Sequence, residues 1–193
     1  MAKTSQKEEI LFAARKLFSQ RGYFGTTIRD IAKLSGILSG SLYAHISSKE
    51  ELLFLIVDEA ASSFLEAISP IVGSGDPFEA KVHQAFAAHI RVIANHMESA
   101  KVFLHEWTAL SGEKYQIIKS KRDEYEHHWT HIFAEGAAAE LISSEDISMI
   151  KLLVLSVANW FYQWYREDGP DSPEVIAEQL AAMLFTGIRN NKK

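Results

Sequence analysis

The strongest constraint on the fold of this chain is a helical spacing of apolar residues that recurs over nearly its whole length. Near the start, Ile10, Leu11, Ala14, Leu17 and Phe18 are spaced three or four residues apart, so they share one helix face. Only four prolines and ten glycines interrupt the 193 residues, and no alternating pattern predicts a strand. The sequence therefore predicts an all-α protein of about nine helices.

Capping and turn residues set the boundaries of the first helices. Thr27 followed by Asp30 forms a capping box, which predicts a helix start. Gly36 then predicts a sharp turn before a short helix from Leu38 to His45. This succession of two short helices around a glycine turn predicts a helix-turn-helix.

The rest of the chain reads as longer helices. Ser47 or Ser48 caps a fourth helix, with a body from Leu52 to Ile68. The segment from Pro70 to Pro77 contains Gly-Ser-Gly-Asp and predicts the clearest break. The helices predicted after it cover residues 77–95, 99–111, 113–141, 145–166 and 173–189.

Charge is distributed unevenly along the chain. Residues 1–50 hold eight Lys/Arg and four Asp/Glu, whereas the whole chain has a net charge of -5. A basic head on an acidic body is expected when only the head meets phosphate groups. The charge pattern therefore favours nucleic-acid binding by the N-terminal segment.

The helix-turn-helix has the chemistry of a DNA reader. Its second helix carries small polar residues that allow close entry into the major groove. Threonines at a helix start can offer hydroxyls and backbone N–H groups to phosphate. An ordinary helical corner with solvated polar residues would show a similar pattern. The predicted DNA-binding residues are Thr26, Thr27, Lys33, Ser39, Gly40, Ser41, Tyr43, His45 and Lys49.

The same segment resembles the N-terminal domain of the TetR family of transcriptional regulators. The resemblance rests on spaced positions over residues 8–55, including Ile31-Ala32, Gly40-Ser41-Leu42-Tyr43 and Ser48-Lys49-Glu50. It implies a DNA-binding domain at 1–47, with the helix-turn-helix at about 27–46, and a ligand-binding and dimerisation domain at 48–193.

Three positions depart from the family pattern. Leu38 stands where many members carry a capping Ser or Thr, Ser39 where Lys or Arg is common, and Ile46 where Phe is usual. A missing cap costs about 1 kcal/mol. We therefore expect the protein to read its site through hydroxyl, shape and backbone contacts more than through an arginine–guanine pair.

The family resemblance also implies a homodimer on a palindromic DNA operator. Family members usually dimerise through their last two helices, which correspond here to 145–166 and 173–189. Their middle helices usually enclose an inducer, whose binding displaces the fourth helix (about 48–69) and separates the two DNA-binding heads. The expected ligand-binding residues are Phe64, Ile68, Phe86, His89, Ile90, Phe103, Trp107, Tyr125, His128, Trp129, Phe133, Asn159, Trp160 and Gln163. Each aromatic residue among them could equally be core.

The C-terminal run resembles a FadR-like and KstR2-like subgroup that responds to acyl-CoA thioesters. Asn159-Trp160, Trp164-Tyr165, Gly169, Ser172 and Ile176-Ala177 fit that subgroup's pattern. The resemblance implies an apolar inducer, with a fatty acyl-CoA as one candidate. Basic side chains available for the CoA phosphates are Arg91, Lys101, Lys119, Lys121, Arg122 and Arg166.

Other classes of protein are less well supported. The chain contains no cysteine, which excludes disulfides, thiolate metal sites and a cysteine nucleophile. His127 and His131 have a metal-binding spacing, so a metal sensor stays open, as does a DNA-independent interaction protein. No catalytic motif predicts an enzyme and no cofactor is expected. The polar start and the interrupted apolar stretch Ile147–Tyr165 predict a cytoplasmic protein without a membrane span.

Overall fold

The computed structural model describes residues 5–188 and confirms the all-α prediction. Within that range there are ten α-helices and two 3-10 turns, the turns at Trp107–Ala109 and Ser144–Asp146. Since α8 and α9 are separated by one residue and together occupy one predicted helix, the number of helices agrees with the prediction. The helices are α1 Gln6–Arg21, α2 Ile28–Ser35, α3 Ser39–Leu42, α4 Lys49–Val72, α5 Phe78–Asn95, α6 Met97–Glu106, α7 Gly112–Ala138, α8 Ile147–Asn159, α9 Phe161–Trp164 and α10 Pro173–Ile188.

Several helix boundaries differ from the prediction. The helix expected from Leu38 to His45 ends at Leu42, the one expected at 99–111 is α6 followed by a 3-10 turn, and the one expected at 113–141 ends at Ala138. We expected a break from Pro70 onward, but α4 includes Pro70 and ends at Val72. Pro70 lacks the N–H that would donate to the Glu66 carbonyl, and α4 ends two residues later. The helix expected at 145–166 is divided at Trp160 into α8 and α9. Position 189, at the end of the last predicted helix, lies outside the described residues.

The chain forms two compact units. The first unit contains the described residues up to Ala61 together with His96–Ser120. Its helix α1 packs against α2 and α6, and α2 packs against α3. Ile10, Phe18, Ile31 and Leu42 are fully or almost fully buried in this unit, so the apolar stripe predicted for α1 is its core face. The helix-turn-helix is therefore held on a packed helical base.

The second unit contains Ser62–Asn95 and the described residues from Lys121 onward. Helix α5 is its centre and packs against α10, α8 and α9. Helices α5 and α7 approach closely at Gly136, where a Cβ would lie 2.6 Å from the Phe78 ring. An ion pair also joins these helices, since the buried Lys81 Nζ lies 2.8 Å from Glu135 Oε2. No helix among residues 5–188 is both long and apolar enough to cross a bilayer.

Candidate nucleic-acid interface and candidate ligand site

The local geometry of the helix-turn-helix follows from its capping residues. The Thr27 hydroxyl accepts from the Asp30 backbone N–H at 3.2 Å, and the Thr27 N–H donates to Asp30 Oδ2 at 2.9 Å. The Thr27 hydroxyl also donates to Asp30 Oδ2 at 2.6 Å, and this hydrogen bond together with that from the Thr27 N–H lowers the pKa of the Asp30 carboxyl, so it is ionised at neutral pH. Gly36 follows α2 with a φ of 71°, a conformation that favours glycine. The predicted capping box and turn are both confirmed.

The outer surface of α3 is small and polar, as the sequence predicted. Leu42 is fully buried against the rest of the unit, while Ser39, Gly40 and Ser41 are exposed. Tyr43 is 58% exposed directly after the helix. Leu38 stands at the N-cap without a side-chain hydrogen bond, which confirms the missing cap. This surface therefore presents hydroxyls and one phenol without steric obstruction.

The other predicted DNA-binding residues fall into two groups. Thr27 and Lys33 are exposed beside this surface and His45 is half-buried. Thr26 is 1% exposed, and its hydroxyl donates to the Gly22 carbonyl at 2.9 Å. The expected phosphate contact through the Thr26 hydroxyl is therefore replaced by a contact within the fold.

Lys49 also occupies a different place from the one expected. Its ammonium donates to the carbonyl oxygens of Tyr23 and Thr26, both at 2.9 Å, and lies 4.1 Å from the centroid of the Tyr23 ring. Burial lowers the pKa of this ammonium and raises the pKa of the Tyr23 hydroxyl. Lys49 therefore fastens the start of α4 to the turn before α2, rather than extending into solvent toward phosphate.

Two glutamates make further hydrogen bonds between distant parts of this unit. The Tyr23 backbone N–H donates to Glu106 Oε2 at 2.9 Å, which ties the turn to the end of α6. Glu50 accepts from the N–H and hydroxyl of Ser111 at 2.8 and 2.7 Å. We call Tyr23, Thr26, Lys49 and Glu106 the polar latch. Tyr23 and Glu106 were not predicted as functional residues, because no local spacing signals a hydrogen bond across 83 residues.

The second unit contains a cluster of aromatic rings with polar atoms inside it. His89 on α5 is 2% exposed, and its Nδ1 lies 2.7 Å from the Tyr125 hydroxyl on α7. The Phe64 ring of α4 lies 4.8 Å from the His89 ring and 5.6 Å from the Tyr125 ring. One helical turn away, the Phe86 and Trp129 rings meet edge to face at 6.4 Å. We call these five residues the aromatic cluster.

Two nitrogens of the aromatic cluster, His89 Nε2 and Trp129 Nε1, are buried and make no hydrogen bond of good geometry. Burial lowers the pKa of His89 to about 3, with the Asn159 side chain acting in the opposite direction. Burial likewise raises the pKa of the Tyr125 hydroxyl. A hydrogen bond with the Trp129 side chain acts in the opposite direction on Tyr125. The cluster is therefore electrically neutral at physiological pH.

The remaining ligand-binding candidates are dispersed. Ile68, Ile90 and Phe133 are buried in the second unit, where Asn159 and His128 are half-buried. Phe103 and Trp107 belong to the first unit, where Trp107 stacks on Tyr115 at 5.2 Å. Trp160 and Gln163 were expected at pocket depth but are exposed, because they continue the outer stripe of α8 into α9. Thus Phe64, Phe86, His89, Tyr125 and Trp129 are brought together, whereas Phe103, Trp107, Trp160 and Gln163 lie elsewhere.

An exposed apolar stripe runs along α8 and α9 and has a counterpart on α10. The exposed residues recur at helical spacing, whereas Ile150, Val154 and Ala158 on the opposite face are buried. Two open grooves of about 310 and 240 Å³ lie along these helices, and Met183 lines both. Arg166 lines the larger groove. The exposed apolar side chains are Met149, Leu152, Leu153, Trp160, Trp164, Val175 and Met183.

The histidines considered for metal binding have other surroundings. His131 Nδ1 lies 3.3 Å from Glu135 Oε1, the same carboxylate that pairs with Lys81. His127 is exposed on the same helix. Among residues 5–188, no group of three or more His, Asp or Glu side chains is arranged to hold a metal ion.

Comparison with known proteins supports both the N-terminal helix-turn-helix segment and the C-terminal helical segment. Residues 10–56 match the family model described as bacterial regulatory proteins, tetR family. Residues 75–188 match the one described as tetracyclin repressor-like, C-terminal domain. The chain belongs to the TetR family of bacterial transcriptional regulators.

Individual relatives are similar over almost their full length. The transcriptional repressor KstR2 of Mycobacterium tuberculosis H37Rv is 29% identical over 191 residues, covering 95% of this chain and 93% of the relative. The solved structure of the ketosteroid regulator KstR2 of Mycobacterium tuberculosis has a TM-score of 0.88 at 26% identity, covering 98% of this chain and 97% of that one. The structure of AibR with isovaleryl coenzyme A and operator DNA has a TM-score of 0.82 at 27% identity. The match covers 94% of this chain and 98% of that one.

Proposed function

We propose that this protein is a ligand-responsive transcriptional repressor that acts in the cytoplasm as a homodimer on a palindromic operator. In this proposal residues 1–47 carry DNA binding, and residues 48–193 carry ligand binding and dimerisation. The observation that carries it is the exposed surface of α3, held on a packed base in a chain of the TetR family. The proposal contains no catalytic step.

The proposed DNA interface consists of exposed groups on the helix-turn-helix. Ser39, Gly40 and Ser41 enter the major groove, and their hydroxyls meet base edges or phosphate. Tyr43 and Lys33 contact the sugar-phosphate backbone. Thr27 and His45 lie at the margins of this surface, whereas Thr26 and Lys49 shape it from inside.

Salt dependence separates a phosphate contact from a structural one. Operator affinity, measured by fluorescence anisotropy on the upstream region of the protein's own gene, should fall for both Lys33→Met and Lys49→Met. The logarithmic salt slope should decrease by roughly 1.8 only for Lys33→Met, because each of two heads loses one phosphate contact worth about 0.9. If neither variant nor Tyr43→Ala weakens binding at any salt concentration, this interface is wrong.

The proposed dimer interface is the exposed stripe of α8 and α9 together with α10. A helix that is apolar on both faces but buried on only one requires a partner in water. A second copy suits this face because isologous contacts pair a surface with itself, and two linked heads bind a palindrome more tightly than one.

Charge placed on the stripe tests the dimer. Leu152→Glu and Met183→Glu should each convert the dimer to a monomer at micromolar concentration, as measured by multi-angle light scattering. Leu141→Glu is the matched control, since Leu141 is 44% exposed but lies outside α8, α9 and α10. A wild-type monomer at that concentration would exclude the dimer proposal.

The proposed inducer is an apolar molecule, with an acyl-CoA thioester as the leading candidate. The aromatic cluster supplies a neutral apolar interior with a few polar atoms, which is typical of ligand sites. Arg166 offers a cation at a described groove for a CoA phosphate. The similarity to AibR, whose structure contains isovaleryl coenzyme A and operator DNA, supports the same class of ligand.

The ligand must favour the DNA-released state to act as an inducer. Helix α4 is one continuous helix that carries both Lys49 of the latch and Phe64 of the cluster. We propose that ligand binding at Phe64 displaces α4 and thereby changes the DNA-binding head. A panel of acyl-CoA thioesters should include members that raise the melting temperature and release operator DNA. A panel that does neither would exclude this class of inducer.

A further inference from the structure

Leu38 contributes little to the stability of the unit that contains it. It is the N-cap residue of α3, and its side chain is 80% exposed, so little of it is buried in the core. A serine, threonine or aspartate at an N-cap accepts a hydrogen bond from a backbone N–H of the first helical turn, which leucine cannot do. Position 38 therefore supplies neither a buried apolar contact nor a helix cap.

Gly40, two residues later, is likewise not explained by the fold. Glycine is less favourable than alanine inside a helix, because it loses more backbone freedom on folding. Its φ is not positive, and a Cβ added at this position would meet none of the described atoms of the surrounding structure within 4 Å. Neither backbone conformation nor packing within residues 5–188 therefore requires a glycine here.

Two nearby residues that each lower the stability of the free protein indicate a surface shaped by a partner. The second helix of a helix-turn-helix lies in the major groove, with its N-terminal residues at the base edges. Leu38 and Ser39 are the N-terminal residues of α3, inside the segment that matches the tetR family model. A glycine at position 40 lets the backbone of this helix approach the DNA closely. The partner that explains both residues is the major groove of DNA.

The major groove offers one group that suits a leucine side chain. Thymine presents a methyl group there, at C5, whereas the other positions that distinguish the bases are hydrogen-bond donors and acceptors. Contact between two apolar groups removes both from water, which is favourable. Leucine against a donor or acceptor would remove a polar group from water without giving it a hydrogen bond, which is unfavourable. The neighbouring hydroxyls of Ser39 and Ser41 can bond to donors and acceptors alike, so they discriminate less between bases.

We infer that Leu38 contacts the 5-methyl group of a thymine in each half of the operator and determines the base preference at that position. This inference rests on the proposed function and deepens it by naming a residue and a base group that specify the site. The contact is made by the leucine side chain, and the absence of a side chain at Gly40 allows the approach that it needs.

Replacement of thymine by deoxyuridine isolates the methyl group, because every hydrogen-bonding group of the base stays in place. The full-length protein first selects its operator from a pool of randomised duplexes, and a thymine should be enriched at one position in each half-site. Deoxyuridine then replaces each thymine of the selected operator in turn, in both half-sites together, and fluorescence anisotropy measures the affinity. One position should show a loss of about fifteenfold, since one buried methyl group in each half-site is worth about fourfold.

Variants assign the methyl preference to Leu38. Leu38→Ala should reduce the thymine-to-deoxyuridine affinity ratio at that position toward one. Leu34→Ala is the matched control, since Leu34 is 46% exposed on α2, and it should keep the wild-type ratio. Gly40→Ala should weaken binding to both operators, because the added Cβ obstructs close approach, while raising the melting temperature. Thermal melts of each variant confirm that it is folded before titration.

The outcomes separate this inference from the proposed function. A selected operator in which no deoxyuridine weakens binding overturns the inference while leaving a DNA-binding repressor in place. Weaker binding by Leu38→Ala with an unchanged ratio assigns the leucine to the sugar-phosphate backbone, and this also overturns it. Wild-type affinity of Gly40→Ala removes the close approach on which the contact depends. Failure of the wild type to select any sequence overturns both the inference and the proposed function.

Discussion

The polar latch of the first unit and the aromatic cluster of the second are both networks of buried polar groups, but they differ in how fully those groups are paired. In the latch, the carbonyls of Tyr23 and Thr26 accept from Lys49, and the Tyr23 N–H donates to Glu106. In the cluster, His89 Nε2 and Trp129 Nε1 make no hydrogen bond of good geometry. A fully satisfied network stabilises one arrangement, whereas a partly satisfied one contributes less to stability.

The contrast separates a network that is fixed by folding from one that, in the proposed function, ligand binding completes. A DNA-reading surface must be preorganised, because mobility at the interface reduces affinity. A ligand site tolerates unpaired polar atoms because they supply specificity when the ligand arrives. Natural proteins accept lower stability at functional sites for this reason. Removal of polar groups should therefore have opposite effects in the two networks.

The largest effect is expected from Lys49→Met. The substitution leaves two carbonyls without a donor and removes the contact with the Tyr23 ring, so the free energy of unfolding should fall by about 3 kcal/mol. Urea denaturation measures this. Lys33→Met, at an exposed position, should change stability by less than about 0.5 kcal/mol. Equal stability of the two variants would mean that the latch does not stabilise the fold.

Glu106→Ala should have the next largest effect. It removes a charge-assisted acceptor from the Tyr23 N–H, and we expect a loss of about 2 kcal/mol in the free energy of unfolding. Glu106→Gln keeps an acceptor oxygen and should lose less than half as much. Chemical denaturation of both variants tests the hydrogen bond apart from the shape of the side chain. A Gln variant as unstable as the Ala variant would contradict this explanation.

The buried histidine should make stability depend on pH. The pKa of His89 is about 3 in the folded protein and near 6.5 when unfolded, so the unfolded state binds more protons between these values. Its contribution is constant above pH 6.5 and becomes increasingly unfavourable below it. Between pH 7.5 and 5.5 wild type should lose about 1.4 kcal/mol more than His89→Phe. Parallel pH profiles for the two proteins would show that His89 is not buried as described.

The smallest effect is expected from the double variant His89→Phe/Tyr125→Phe. It replaces two partners with apolar rings of similar shape, a change that can be neutral or stabilising. We expect the ligand-free protein to gain between 0 and about 1 kcal/mol, as measured by calorimetric melting. A loss above about 2 kcal/mol would show that this pair stabilises the fold as the latch does, and the contrast between the networks would disappear.

The sequence predicted the first unit better than the second because its signals are local. Thr27 and Asp30 form their capping box within one turn, and Gly36 takes its left-handed conformation within one residue. Such contacts depend on spacing alone. The contacts of Lys49 were not predicted because its partners lie 23 and 26 residues away, and the same cation is suited to either a phosphate or a carbonyl.

In the second unit the sequence predicted which residue types would be present but not how they are placed. Phe64, His89 and Tyr125 were all expected near a ligand, and the structure brings their rings together. Trp160 was expected beside them because its aromatic character does not distinguish a buried face from an exposed one. The side of α8 that packs against α5 determines which of its residues are buried and which are exposed. That choice depends on tertiary packing and not on residue type.

The burial of Trp129 has a consequence for how the protein can be observed. Four tryptophans contribute to its emission; Trp129 is shielded from solvent, while Trp160 and Trp164 are about half exposed. A water-soluble quencher such as iodide should suppress the two exposed indoles first and leave a blue-shifted signal that includes Trp129. Occupancy of the aromatic cluster would then change the colour and lifetime of that residual light, so the chain carries its own unlabelled optical probe.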